Sequence, residues 1–141
     1  MKNKSKLKKM KQKKQLQKPV QPNVVTEWLY LNQKEISFEA LKTVFEKDDT
    51  ISVQIWKEAG VAEIEIAEAK SIDLELAELD LGDEAGNAFL EEKKAETLWF
   101  VTISAQSYDR SVAVMKQIVE AIGGFFCGDT EDFTPVVSSV E

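Results

Sequence analysis

Histidine is absent from this 141-residue chain, and cysteine occurs only once, as Cys127. Without histidine the chain lacks the usual general base near neutral pH and the commonest metal ligand, which excludes histidine-based triads, Cys–His nucleophile pairs and most zinc sites. Because Cys127 has no second cysteine to pair with, no internal disulfide can form, and a reducing, cytoplasmic setting is expected. No run of about 18 apolar residues is present, so no membrane span is predicted. We therefore expect no catalytic, cofactor-binding or metal-binding residues.

Charge is divided unevenly along the chain. The net charge is −7, from 18 basic and 25 acidic residues. Residues 1–18 hold nine lysines and no acid, a charge of +9; residues 19–141 hold the other nine basic residues and all 25 acids, a charge of −16. The nine are Lys2, Lys4, Lys6, Lys8, Lys9, Lys11, Lys13, Lys14 and Lys18. Such segregation is typical of a charged tail attached to a domain of opposite sign.

Residues 1–23 are predicted to be a disordered tail and linker. Leu7, Met10 and Leu16 are the only large apolar side chains within the lysine run, too few to offset the entropy of ordering it. Two prolines then favour an extended linker. The lysines continue where a signal peptide would become apolar, which argues against secretion.

The lysine tail has two interpretations. Its ammonium groups could follow the phosphates of RNA, of a ribosome or of an anionic membrane surface. No arginine or aromatic residue lies among them, so such binding would be nonspecific and salt-dependent. The alternative is a solubilising tail, or one that folds back onto the acidic body of the same protein.

Residues 24–137 are predicted to form a single acidic α+β domain, followed by a short C-terminal tail, 138–141. The predicted order is β-α-β-β-β-α-β-α-β, with strands near 27–31, 51–55, 63–68, 72–76, 97–104 and 125–127 and helices near 38–47, 84–94 and 107–122. Alternation in the second to fourth strands predicts an antiparallel meander, and the continuously apolar 97–104 predicts a central strand. We expect a mainly antiparallel sheet with the helices packed on one face, and a parallel crossover within 97–127.

Carboxylates alternate with aliphatic residues through the meander. A period of two places the aliphatic side chains on one face and the carboxylates on the other. This face could dock a basic protein, or it could simply be the solvated side of the sheet. Few lysines are interspersed, whereas a merely solubilising face would mix charges of both signs. The candidate partner-binding residues are Trp56, Glu63, Glu65, Asp73, Glu75 and Glu78, with Asp129, Glu131 and Asp132 as a second edge.

Two acidic clusters were considered as cation sites. Asp80, Asp83 and Glu84 lie where a turn and a helix cap are predicted, and neither they nor residues 129–132 follow the spacing of a calcium-binding loop. The glycine-rich loop around 129–132 leaves open a carboxylate-based enzyme that uses a divalent metal.

The last third of the chain has a strand–helix–Gly-Gly–strand pattern, with Leu98–Val101 at its start and Gly123–Gly128 at its end. In this pattern the chain resembles two groups of small bacterial proteins, the acidic inhibitors of ribonuclease E and the immunity proteins of toxin systems. The resemblance implies a small acidic domain that acts by binding another protein. It transfers no residue roles, since the pattern also occurs in unrelated folds.

The sequence favours a noncatalytic interaction or regulatory module whose acidic, partly aromatic face binds a basic protein. The first alternative is an RNA- or ribosome-associated protein tethered by the lysine tail, and the second is the metal-dependent enzyme. A homo-oligomer is also compatible with the sequence.

Overall fold

A computed structural model describes residues 24–139, which form a seven-stranded antiparallel sheet and three helices. The strands are β1 (Glu27–Asn32), β2 (Ile51–Trp56), β3 (Val61–Ile66), β4 (Ile72–Ala77), β5 (Thr97–Thr102), β6 (Phe125–Gly128) and β7 (Val136–Val137), and the helices are α1 (Glu39–Val44), α2 (Glu84–Glu92) and α3 (Tyr108–Ile122). Across the sheet the order is β2-β3-β4-β5-β1-β6-β7. The predicted α+β class with a mainly antiparallel sheet is confirmed. The predicted tail, residues 1–23, lies outside the described residues, as do residues 140 and 141.

The meander β2-β3-β4 and the central position of β5 follow the sequence prediction. Each apolar residue of β2 alternates with an exposed or polar one, and β3 and β4 continue the pattern. A short 3₁₀ turn at Lys57–Ala59 joins β2 to β3 and ends at Gly60, whose φ of 68° lies in the left-handed region that glycine adopts without strain. β5 lies between β4 and β1 and is almost wholly buried.

Helices α1 and α3 pack on one face of the sheet and enclose the main core. Every second residue of β1, β3, β4 and β5 points into this core. Full burial of each large apolar side chain contributes about 1.5–3 kcal/mol. The largest fully buried side chains here are Trp28, Trp99, Tyr30, Phe126, Leu41, Ile64, Ile72, Leu74 and Met115.

Helix α2 packs on the opposite face, so the helices do not all share one face as the sequence prediction had placed them. Leu90 of α2 is 5% exposed and belongs to a second core cluster with Leu29 and Leu31 of β1, Leu98 of β5 and Cys127 of β6. The reason is that β1 and β5 are apolar at consecutive positions. Because consecutive residues point to opposite faces, both faces of these strands need a cover.

The segment from β5 through α3 to β6 contains the predicted parallel crossover, with one strand inserted. β5 and β6 both run antiparallel to β1, which lies between them, and so run parallel to each other. The chain returns at Gly124, where φ is 75° and a Cβ atom would collide with the carbonyl oxygen of Leu31 and the ring of Tyr30. No larger residue fits this close approach.

Tyr30 fixes the end of α3 to β1. Its hydroxyl donates to the carbonyl oxygen of Gly123 at 2.7 Å and accepts from the side-chain amide of Asn32 at 2.8 Å. Burial raises the pKa of Tyr30 to about 12, although the hydrogen bond from Asn32 acts in the opposite direction. Within residues 24–139, no helix combines the length and apolar character needed to cross a membrane.

Candidate interaction surface

Among residues 24–139, nothing packs over half of the face that carries α2. On this side β2, β3 and β4 present side chains that are exposed or half-buried, whereas the same strands bury their aliphatic residues against α1 and α3. The cluster under α2 is built mainly on β1, β5 and β6. We call the uncovered part the open acidic face; its side chains are Ser52, Gln54, Trp56, Val61, Glu63, Glu65, Asp73, Glu75, Thr102 and Glu27.

A cross-strand row runs through the centre of the open acidic face. Gln54 lies opposite Glu63, Glu63 opposite Asp73, Asp73 opposite Thr102, and Thr102 opposite Glu27. Cβ atoms of directly opposite residues are about 4.5–5.5 Å apart, so Glu63 and Asp73 set two like charges side by side at a cost in stability. Strands β1 to β5 contain no lysine or arginine.

Glu27 belongs to this row but was not among the predicted site residues. Thr102 donates from its hydroxyl to Oε1 of Glu27 at 3.2 Å. Because β1 is apolar on both faces after its first residue, alternation alone could not show which face Glu27 occupies. A glutamate opening an otherwise apolar strand was the one signal available.

Trp56 lies on the same face, one row further along the strands. It pairs with Val61, which pairs in turn with Glu75. Its side chain is 47% exposed, which is high for a tryptophan within a strand. The structure therefore places an exposed indole on the same face as the carboxylate row.

The remaining predicted site residues lie beyond this face. Glu78 is exposed in the segment after β4. Asp129 follows β6, and its N–H donates to the carbonyl oxygen of Glu27 at 2.9 Å, so the row of carboxylates ends beside this loop. Glu131 is exposed in the same loop.

Asp132 is part of a hydrogen-bonded turn. The hydroxyl of Thr134 donates to its Oδ1 at 2.7 Å and that of Thr130 at 3.1 Å. These bonds favour the charged form and lower the pKa of Asp132. Asp132 therefore holds the loop in shape.

Asp80 and Asp83, two of the candidate cation ligands, have structural partners. Asp80 accepts from the N–H of Gly82 at 2.8 Å and from the side chain of Asn87 at 3.1 Å, and these bonds lower the pKa of Asp80. Asp83 caps α2 by accepting from the N–H of Gly86 at 2.6 Å. Among residues 24–139, no three or more histidine, cysteine, aspartate or glutamate side chains are grouped so that they could hold a metal ion.

Cys127 is buried. Its burial raises the pKa of the thiol to about 12, with a smaller opposing effect from the charge of Lys93. The thiol stays protonated at neutral pH and acts as an apolar side chain in the cluster under α2.

Comparisons of the chain with known protein families, with curated proteins and with solved structures found no match. The resemblance of the last third to ribonuclease E inhibitors and immunity proteins therefore rests on the local pattern alone.

Proposed function

We propose that this protein is a noncatalytic interaction or regulatory module whose open acidic face binds a basic protein partner. The observation that carries the proposal is the pairing of Glu63 with Asp73 on a half of the sheet that the rest of the fold leaves uncovered. A fold under selection for stability alone gains nothing from like charges set directly opposite one another. A cationic partner removes that repulsion when it binds.

Charge and apolar burial act on different steps of binding: charge on association and burial on dissociation. The carboxylate row attracts a basic surface over a distance of about 10 Å at 0.1 M salt and so speeds encounter. Trp56 then loses its exposed area to the partner and slows dissociation. The bound partner is expected to contact β2, β3 and β4 rather than α1 or α3.

The test begins with capture of a partner from an extract of the source cells on the immobilised full chain. The triple variant E63Q/D73N/E75Q is the matched control for the capture, because it keeps the shape of each side chain and removes three charges. Proteins retained by the native chain and lost by the variant are then studied by stopped-flow kinetics. We expect the association rate to fall steeply as salt is raised from about 50 mM to about 500 mM, because the Debye length shortens from about 14 Å to about 4 Å.

A partner whose association rate is unaffected by salt and by the triple variant would contradict the proposal. Trp56→Ala adds a second readout, since it should raise the dissociation rate and leave the association rate nearly unchanged. We place this interaction in the cytoplasm, because the single cysteine is a buried free thiol rather than half of a disulfide.

A second candidate function is RNA or ribosome association through the nine lysines of residues 1–18, which contain no acid. Deletion of this segment separates the two candidates. If RNA binding at low salt is unchanged after the deletion, the second candidate fails. If the captured protein partner is still bound, the first stands independently of it.

A further inference from the structure

A groove of about 560 Å³ lies at one end of the sheet, between the segment that leads into α1 and the ends of β2 and β4. Its apolar lining includes Ile36, Phe38, Ile55 and Leu76. Leu76 remains 49% exposed, although it occupies a position that faces the α1 side in the rest of β4. The volume falls within the range of about 300–1,000 Å³ typical of ligand sites, so the groove can take several apolar side-chain atoms.

The rim of this groove is acidic. Glu35, Glu39 and Glu96 line it, opposed by the single cation of Lys57. All four residues are exposed, so their charges are in contact with solvent. A ligand that suits both parts of the groove has a large apolar side chain flanked by positive charges.

Residues 1–18 of the same chain have that chemistry. Leu7 stands between Lys6 and Lys8, and Met10 between Lys9 and Lys11. This is the part of the chain whose charge of +9 is opposite to that of the body. Met adapts readily to irregular apolar sites, because its side chain is unbranched and polarizable.

The point at which the chain enters the described structure also favours this groove. Val25 packs against the core between the sheet and α1 and α3, and its carbonyl oxygen accepts from the indole N–H of Trp28 at 2.7 Å. The chain therefore enters on the same side of the sheet as Phe38 and Ile55 rather than on the open acidic face.

The chain before Val24 is long enough to bring Met10 to the groove. β1 runs from the entry point toward the groove and is six residues long, or roughly 20 Å at about 3.4 Å per residue. From Val24 back to Met10 there are fourteen steps, which can span about 46–50 Å when extended. A tether of this kind gives an effective concentration on the order of millimolar, so a weak contact suffices.

We propose that the segment around Leu7 and Met10 docks intramolecularly in this groove, with its lysines beside Glu35, Glu39 and Glu96. The docked segment blocks the end of the sheet next to Trp56, which precedes Lys57 of the rim. Docking thereby competes with the binding of the tail to RNA or to another anionic surface. Raising the salt concentration releases it.

The test uses the full chain with a nitroxide spin label on a cysteine introduced as Ser5→Cys. Cys127 is fully buried and does not compete for the label. Amide signals of the ¹⁵N-labelled protein are compared before and after reduction of the nitroxide. We expect the oxidised label to cause loss of signal at Gly60, Leu76 and Leu98, which line the groove.

Two variants test whether the loss of amide signal comes from docking of the tail in the groove. L7S/M10S keeps every lysine and should restore the signals, because the apolar side chains are removed. E39K/E96K should restore them by reversing the rim charge. Glu91→Lys, on the exposed surface of α2, is the matched control for added positive charge and should leave the loss unchanged.

Other patterns overturn the proposal. Signal loss centred on β3 and β4 would place the tail on the open acidic face, and the absence of localised loss would show no docking. Loss in a mixture of spin-labelled ¹⁴N protein and unlabelled ¹⁵N protein would mean that the tail docks on a second copy. None of these measurements involves the protein partner, so they are independent of the proposed function.

Discussion

The face of the sheet that carries α2 has two halves with opposite chemistry. Over β6 and most of β1 and β5 the side chains are leucine, phenylalanine and cysteine, and α2 covers them. Over β2, β3 and β4 they are mainly glutamate, aspartate, glutamine and serine, with Trp56 and Val61 among them, and they stay at least partly in contact with solvent. The same sheet therefore buries one half of this face beneath α2 and leaves the other half exposed.

Side chains in the two halves occupy their positions for different reasons. In the covered half each side chain is explained by what it buries. In the open half the register sets Glu63 opposite Asp73, an arrangement of like charges that generally disfavours strand pairing, and Trp56 leaves apolar area in water. These are features that folding does not account for, which is why the open half is the candidate for recognition.

The largest effect is expected from a substitution in the covered half. Leu90→Ala removes buried atoms beneath α2 and should lower the free energy of unfolding by about 2–4 kcal/mol. Leu79→Ala is the control, because Leu79 is 45% exposed, and it should change stability by less than about 0.5 kcal/mol. Urea unfolding measures both. Equal losses at the two sites would show that α2 does not cover a core.

The next effect concerns binding through the open half. Trp56→Ala should weaken the partner complex by about 2 kcal/mol and leave the free energy of unfolding almost unchanged, because an exposed aromatic residue contributes more to an interface than to the fold. Titration calorimetry measures the affinity. Val136→Ala removes a similarly exposed apolar side chain from the far edge of the sheet and should leave affinity unaltered. If both variants bind alike, Trp56 is not an anchor.

Alkaline pH should weaken the covered half. Burial raises the pKa of Cys127 to about 12 from an ordinary value near 9, so the stability it confers is complete below pH 9 and is lost as the pH rises toward 12. The free energy of unfolding should fall above pH 9 by at most about 1.4 kcal/mol per pH unit for this group. Cys127→Ala should lack that part of the fall.

Tyr30 adds its own loss only from pH 10 upward, since burial raises its pKa from 10 to about 12. Measurements at about pH 8, 9 and 10, which lie below, at and above the ordinary pKa of a thiol, therefore report mainly on Cys127. The same slope in the native protein and in Cys127→Ala would show that the thiol ionises equally in both states.

The smallest effect tests the cost of the carboxylate row. Glu63→Lys replaces a repulsive pair with an attractive one and should raise the free energy of unfolding by about 0.2–1 kcal/mol while weakening partner binding. Glu65→Lys makes the same charge change opposite Ser52 and should gain less. An equal gain at both positions would assign the effect to net charge instead of to the pair.

The parts of this fold that could be predicted from sequence are those fixed by local periodicity. Alternation defined the meander, and continuous apolar character identified β5 as central. The side chosen by α2 was not accessible in this way, because β1 and β5 are apolar on both faces and the sequence does not say which helix covers which. β7 is only two residues long, so tertiary pairing with β6 forms it rather than any pattern of its own.

The candidate site was predictable in composition but not in arrangement. Alternation placed Glu63, Glu65, Asp73 and Glu75 on one side of their own strands. That Trp56 joins them depends on the register of β2 with β3, which the turn geometry sets. Asp132 and the acids near α2 differ because hydrogen bonds within their own turns hold them, and such bonds depend on loop conformations that a sequence pattern does not specify.

The most direct test of the account is to map where a captured partner covers the sheet. Amide hydrogen exchange of the full chain, with and without the partner, distinguishes the two surfaces. The account predicts added protection in β2, β3 and β4 and a change at the indole N–H of Trp56, with α1 and α3 unchanged. Protection confined to α1 and α3, with the open acidic face still exchanging freely, would contradict it.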